Sequence, residues 1–398
     1  MSTMKRWAFV LVLLLGACGP GPVTGHPGQS PTGLPTGSES PGTTPAPSPA
    51  HLGLLAVLEA RRAGSTFGGG PDAYDAHDVV AIAGTDGYAK AKQTFKPRSL
   101  PFIGNAGVLM QPEARVAAGA VFYIDGNGVV RRLSVDGTVV QVTSIPFGQP
   151  QQEISFAVSP DGKQLIASVL TLPARNPNAQ SPPDPPFVPG SHAYLEIFAA
   201  PVGGPAASMG RTDLGAFSYS APILRVVGWD DIGPLVTLQQ SLGTQQGSLG
   251  NWFEGMQLAH LDASDHPGPA FTPADCMPWQ ELNDASVLCS SGDFRNVRLI
   301  DVEGKTVASF PAASGPFLTL SPDKAWVAYL GGAQNRSGSR VKLPDGFFPE
   351  GWLNATTIVG YQDLKSSGAT VGNMALVRLG DPGHIDDLGF TGVLAGVL

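Results

Sequence analysis

From about residue 52 onward, apolar residues come in short runs separated by turn residues, and no stretch sustains a 3.6-residue period. The pattern is cleanest over residues 119–146, GAVFYIDGNGVVRRLSVDGTVVQVTSIP. It predicts three strands, Val121–Ile124, Val129–Ser134 and Val139–Ile145, with turns at Asp125-Gly126-Asn127-Gly128 and Asp136-Gly137. Such pairs tolerate the positive φ of tight hairpins, so the segment reads as an antiparallel meander. FAVSPDGKQLIASV, residues 156–169, reads the same way. Pro160 pre-sets φ, Asp161 can bond its own backbone, and Gly162 accepts positive φ between strands Ile154–Val158 and Gln164–Val169. The phrase is a way of turning a strand, not a site.

Looser versions recur along the chain: AYDAHDVVAIAG from Ala73, RVVGWDDIGPLVTL from Arg225, PWQELNDASVLCS from Pro278, TLSPDKAWVAYL from Thr319 and EGWLNATTIVGY from Glu350. The second strand of each unit is expected near residues 79, 121, 164, 235, 286, 325 and 356. The mean step is about 46 residues, close to the roughly 40–45 of a four-stranded propeller blade. The step from 164 to 235 holds a Pro-rich insertion, and that from 325 to 356 is tight for a full blade. The phrase Ser-Pro-Asp-Gly-Lys at 159–163, with its looser versions, resembles the repeats of TolB-like, WD-related β-propellers over most of residues 52–398. The resemblance implies an all-β fold, a six- or seven-bladed β-propeller of four-stranded antiparallel blades. The separate N-terminal α/β domain of TolB proteins has no counterpart here, so a role in that system does not transfer. Trp229, Trp279, Trp326 and Trp352 recur at these units and read as blade packing, whereas Trp252 falls in a long loop.

The start of the chain is different. Lys5 and Arg6 precede an apolar run, Trp7–Ala17, too short for the roughly 20 residues of a membrane-spanning helix. A basic start, a short apolar core and small residues before a break describe a secretory signal peptide over residues 1–17. Leu15-Gly16-Ala17-Cys18 resembles the bacterial lipobox, which implies lipidation of Cys18, an anchor to the membrane surface and a location in the cell envelope facing the extracytoplasmic side. Residues 18–51, rich in Pro, Gly, Ser and Thr, form an expected disordered linker, too polar to offset its ordering entropy. Removal of residues 1–17 leaves 22 Lys+Arg against 32 Asp+Glu, without a basic cluster, which argues against nucleic acid as a partner. Charged residues are 14% of the chain, with 51 Gly and 37 Pro, a composition suited to many tight turns.

Cys276 and Cys289 flank a hairpin turn expected near Asn283-Asp284. In an oxidising compartment they read first as a cross-strand disulfide and second as two buried thiols. A metal site is the weakest reading, because no His stands at ligand spacing. Asp72, Asp75, His77 and Asp78 gather in one loop, which reads as a solvated turn before a Ca²⁺ site. Hydrolase elbow, zinc-protease, phosphate-loop and dinucleotide motifs are absent from the sequence, and no cofactor is expected.

If blade strands are lettered A to D, A–B and C–D turns share one face, and B–C and D–A connections share the other. Three B–C connections are long: Thr171–Ser191, Ser241–Gly255 and Gln362–Gly372. The first two belong to neighbouring blades and bring Arg175, Asn176, Asp184, Phe187, Asn251, Trp252 and Phe253 to one rim, as candidates for a binding surface. The expected function is non-catalytic binding or scaffolding for a protein, peptide or glycan ligand, with the membrane reached through the lipid. The rival is a propeller enzyme, a glycan hydrolase or lyase with a central-channel site. Its candidate acids, Asp230, Asp231 and Asp284, fall at A–B turns, away from the long loops, and no catalytic residue is assigned.

Overall fold

The computed structural model describes residues 52–60, 78–96, 114–147, 152–174, 176, 188–216, 223–239, 257–262, 266–311, 313–362 and 373–398. No helix occurs among them. The chain forms seven antiparallel sheets. In chain order, β1 (Leu55–Ala60), β2 (Asp78–Ala83) and β3 (Ala89–Phe95) begin blade 1. Blade 2 is β4 (Ala114–Ala117), β5 (Ala120–Ile124), β6 (Val129–Leu133) and β7 (Val139–Ser144). Blade 3 is β8 (Gln152–Val158), β9 (Gln164–Thr171), β10 (His192–Pro201) and β11 (Ala207–Ala216). Blade 4 holds β12 (Ile223–Trp229), β13 (Pro234–Gln239) and β14 (Gln257–His260). Blade 5 is β15 (Met277–Glu281), β16 (Val287–Ser290), β17 (Val297–Ile300) and β18 (Thr306–Phe310). Blade 6 is β19 (Thr319–Leu320), β20 (Trp326–Tyr329), β21 (Gly332–Asn335) and β22 (Arg340–Lys342). Blade 7 is β23 (Phe347–Asn354), β24 (Thr357–Gln362), β25 (Asn373–Arg378) and β26 (Asp381–Thr391), and β27 (Val393–Val397) returns to complete blade 1.

The first strand of each sheet is its inner one. The inner strands β27, β4, β8, β12, β15, β19 and β23 follow one another around the ring, and β23 touches β27 again, except that β15 is reached from blade 4 through β14. The blade count is therefore seven. Each sheet buries both faces, so inner and middle strands read as near-continuous apolar runs; all five residues of β5 are buried. Seven apolar clusters among the described residues each sit between two neighbouring blades.

Three sequence expectations need correction in detail. The unit at AYDAHDVVAIAG is not an A–B pair: β2 is the third strand of its blade, because β27 supplies the first. β27 pairs with β1 from Leu55↔Val397 to Leu58↔Val393. The tight step near residues 325–356 does hold a full blade, built from strands of two, four, four and three residues. The outer edge of blade 4 departs from the repeat. There Gly268 N–H bonds His260 O at 2.9 Å and Phe271 N–H bonds Leu258 O at 3.0 Å, which covers the edge of β14. Pro267, Pro269 and Pro273 lack N–H donors, so this segment makes no regular ladder.

The Ser-Pro-Asp phrase is an A–B turn in both of its strongest occurrences. Ser159 Oγ donates to Asp161 Oδ1 at 2.7 Å and accepts Lys163 N–H at 3.2 Å and Gln164 N–H at 2.9 Å. Ser321 repeats this, donating to Asp323 at 2.6 Å and accepting Trp326 N–H at 2.9 Å. Gly162 has φ of 69°, and Lys324 takes the same place at φ 57°. The tryptophans lie in or between blades: Trp279 donates to Ser290 Oγ at 2.8 Å, and Trp352 to Thr319 O of the preceding blade at 3.1 Å.

Candidate functional site

Strand order puts the connections 172–191, 240–256 and 363–372 between second and third strands, on the face shared with the D–A connections. Residues 61–77, which join β1 to β2, are a fourth long connection of that class and carry Asp72, Asp75 and His77. Of the rim candidates, Arg175, Asp184, Phe187, Asn251, Trp252 and Phe253 lie outside the described residues, as do Cys18, Asp72, Asp75 and His77. Asn176 is described and half-buried, in irregular chain after β9. Cys276 and Cys289 are joined by a disulfide, with Cα atoms 5.3 Å apart, in the apolar cluster between blades 4 and 5.

The same face carries a group of aromatics that sequence reasoning missed. Phe348 at the start of β23 and Tyr361 near the end of β24 are cross-strand partners. Their rings stack at 4.9 Å and 4°. Phe317, in the D–A connection before β19, meets Phe348 edge-on at 5.3 Å. All three are half-buried, and none belongs to any of the seven core clusters. Phe317 also has φ of 63°, a left-handed backbone that a bulky residue adopts at a cost. Leu330 N–H bonds Pro316 O at 3.0 Å, which brings the 36%-exposed Leu330 beside this group. The signal was faint in sequence because Phe348 and Tyr361 look like ordinary strand residues, and Phe317 is far from both in the chain.

Toward the same face, the inner strands of blades 3 and 4 share a buried ion pair. Arg225 Nη2 donates to Glu153 Oε2 at 2.7 Å, with both side chains at most 3% exposed. Beside it Ser155 and Ser168 hydroxyls lie 2.6 Å apart, and both reach Val226 N–H, at 3.1 and 3.2 Å.

The acids of the enzyme reading sit at the opposite face. Asp230 accepts Ile232 and Gly233 N–H groups at 2.8 and 3.1 Å and bonds His260 Nε2 at 2.8 Å. Asp284 pairs with Lys324 and accepts from Ser286. Burial alone would raise its carboxyl, but these bonds outweigh burial and hold it below the usual range. Asp231 is exposed, and its N–H bonds Asn283 O of the next blade at 2.8 Å. These groups are engaged in tying turns, and no cluster of three or more metal-ligating side chains converges among the described residues.

No protein-family model matches the chain, and no curated protein does. Several solved structures are similar to the chain at a distance. An oligogalacturonate lyase from Vibrio parahaemolyticus is 8% identical over 81% of this chain and 90% of its own, with a TM-score of 0.43. An oligogalacturonate lyase in complex with manganese is 12% identical over 66% of this chain and 75% of its own, at 0.39. A TolB protein from Agrobacterium tumefaciens is 12% identical over 76% of this chain and 87% of its own, at 0.31.

Proposed function

We propose that this chain is a lipid-anchored, extracytoplasmic propeller that binds a protein, peptide or glycan without transforming it, on the face of the B–C and D–A connections. The observation that carries this reading is the group Phe317, Phe348 and Tyr361, aromatic surface on that face which no core cluster uses. Partly exposed aromatics on a rigid frame bind with little loss of conformational entropy. The ring is closed, and its blades are locked by apolar clusters, so the frame is preformed. The enzyme reading receives less support, since Asp230 and Asp284 are occupied in turns on the opposite face.

The test joins cross-linking on intact cells with a glycan-binding screen of the purified propeller. Replacing Phe317, Phe348 and Tyr361 by Ala together should leave the β-sheet circular dichroism unchanged and weaken the recovered ligand by at least about tenfold. Equal binding by wild type and variant would reject this face. A Cys18→Ser variant should move from the membrane to the soluble fraction of the envelope.

A further inference from the structure

The ring closes where β27 meets blade 7, and one carboxyl spans that joint. A register shift between Pro349 and Gly351 lifts Glu350 out of the regular β23–β24 ladder. Its Oε2 accepts the N–H of Leu394, in the closing strand, at 2.7 Å. Next to it, Gly351 makes room for the Leu394 side chain: a Cβ there would lie 2.5 Å from Leu394 Cδ2. Glu350 is thus seated against the strand that completes the circle.

We propose that Glu350 is a pH-responsive latch: as a neutral acid it holds β27 against blade 7, and as an anion it loosens that joint. The strands packed most closely on β23 are β19, β20, β24 and β27. None carries a carboxylate, Lys, Arg or His; Tyr329 and Tyr361 are their titratable groups, and phenols stay uncharged below about pH 10. Among the described residues no cation is therefore placed to neutralise an ionised Glu350, in contrast to Glu153, which has Arg225. One N–H donor falls short of the two or three that stabilise a buried carboxylate. The Glu350 residue keeps part of its surface, but its carboxyl is surrounded by protein, and burial pushes it up to about 8 against the opposing effect of the Leu394 N–H. A free glutamate titrates near about 4.3. The folded state therefore holds this proton more tightly than the unfolded chain. Its contribution to stability is full below about pH 4 and is lost as pH rises through about 8.

The measurement is amide hydrogen exchange by mass spectrometry between pH 6 and 9.5, corrected for intrinsic base catalysis. It compares peptides covering 391–398 with peptides of β5 and β6 in the same molecule. The 391–398 segment should lose protection by about tenfold or more across pH 7–9 while blade 2 does not. Glu350→Gln keeps an acceptor for Leu394 N–H and removes the charge, so it should abolish the pH dependence and leave protection near its neutral-pH level. A flat wild-type profile, or the same loss in the Gln variant, would overturn the proposal. Should Glu350→Gln fail to fold, infrared spectra of the wild type decide. A protonated carboxyl band present at pH 7 and gone by pH 9 supports the latch; its absence at pH 7 rejects it.

Discussion

Ser159 shows what the recurrent turn phrase supplies. Its hydroxyl is nearly buried and accepts two backbone N–H groups that have no strand partner. Ser159→Ala would orphan Gln164 N–H, while Lys163 N–H keeps Asp161 Oδ1 at 3.1 Å, at a cost of about 1–3 kcal/mol, read as a lowered urea midpoint with an unchanged slope. Asp161 is exposed, yet hydrogen bonds from Ser159 first and then Lys163 hold its carboxyl down to about 2. Its folded-state value lies below its unfolded one, so its stabilising contribution is present above about pH 4 and is lost as pH falls toward 2. Asp161→Asn should flatten that acid limb in thermal melts from pH 5 to 2, and an unchanged limb would show that the turn does not depend on the charge. This much was legible from Pro160, Asp161 and Gly162 alone, because turn chemistry is local. Phe317 was not legible: its left-handed φ and its contact with Phe348 depend on where two distant connections meet.

At the scale of elements, alternation and turn residues located the meander of blade 2 and the A–B hairpins of blades 3 to 7. Blade 1 was misplaced by one strand, because no local pattern announces that β27 will pair with β1 from the far end of the chain. Blade 6 looked too short because its strands are trimmed almost to their turns. The long B–C connections were legible as insertions, but which of their side chains share a surface is not something spacing supplies. The hairpin of β15 and β16 carries the disulfide across a 13-residue separation. A Cys276→Ser/Cys289→Ser variant should lose about 3 kcal/mol, since the closed loop restricts the unfolded chain. Equal thermal stability of oxidised wild type and double variant would remove the disulfide from the account of blade 5.

For the whole molecule, polar side chains clasp one inner strand to another across several joints. Ser155 caps Val226 N–H, Gln280 caps Leu320 N–H at 2.8 Å, and Glu350 caps Leu394 N–H. Arg115 reaches Phe156 O at 3.3 Å in the next blade. The Glu153–Arg225 pair adds a buried ion pair to these links. Glu153→Ala alone should destabilise the fold by about 3–5 kcal/mol, because it removes the carboxylate that pairs with a buried guanidinium. Glu153→Met with Arg225→Met should recover most of that loss. Chemical denaturation of Glu153→Met, Arg225→Met and the double variant checks the cycle; additive losses would mean that the two groups do not act as a pair.

The position of β1 has a mechanical consequence. It lies between β27 and β2, bonded along both edges, and the chain enters it at its A–B end. A pull delivered through Leu52 runs along the strand axis, so it loads both ladders in shear rather than opening them one rung at a time. Survival under tension is set by the unfolding rate and not by equilibrium stability. A propeller held by this end should therefore resist drag better than one held by the edge of an outer strand.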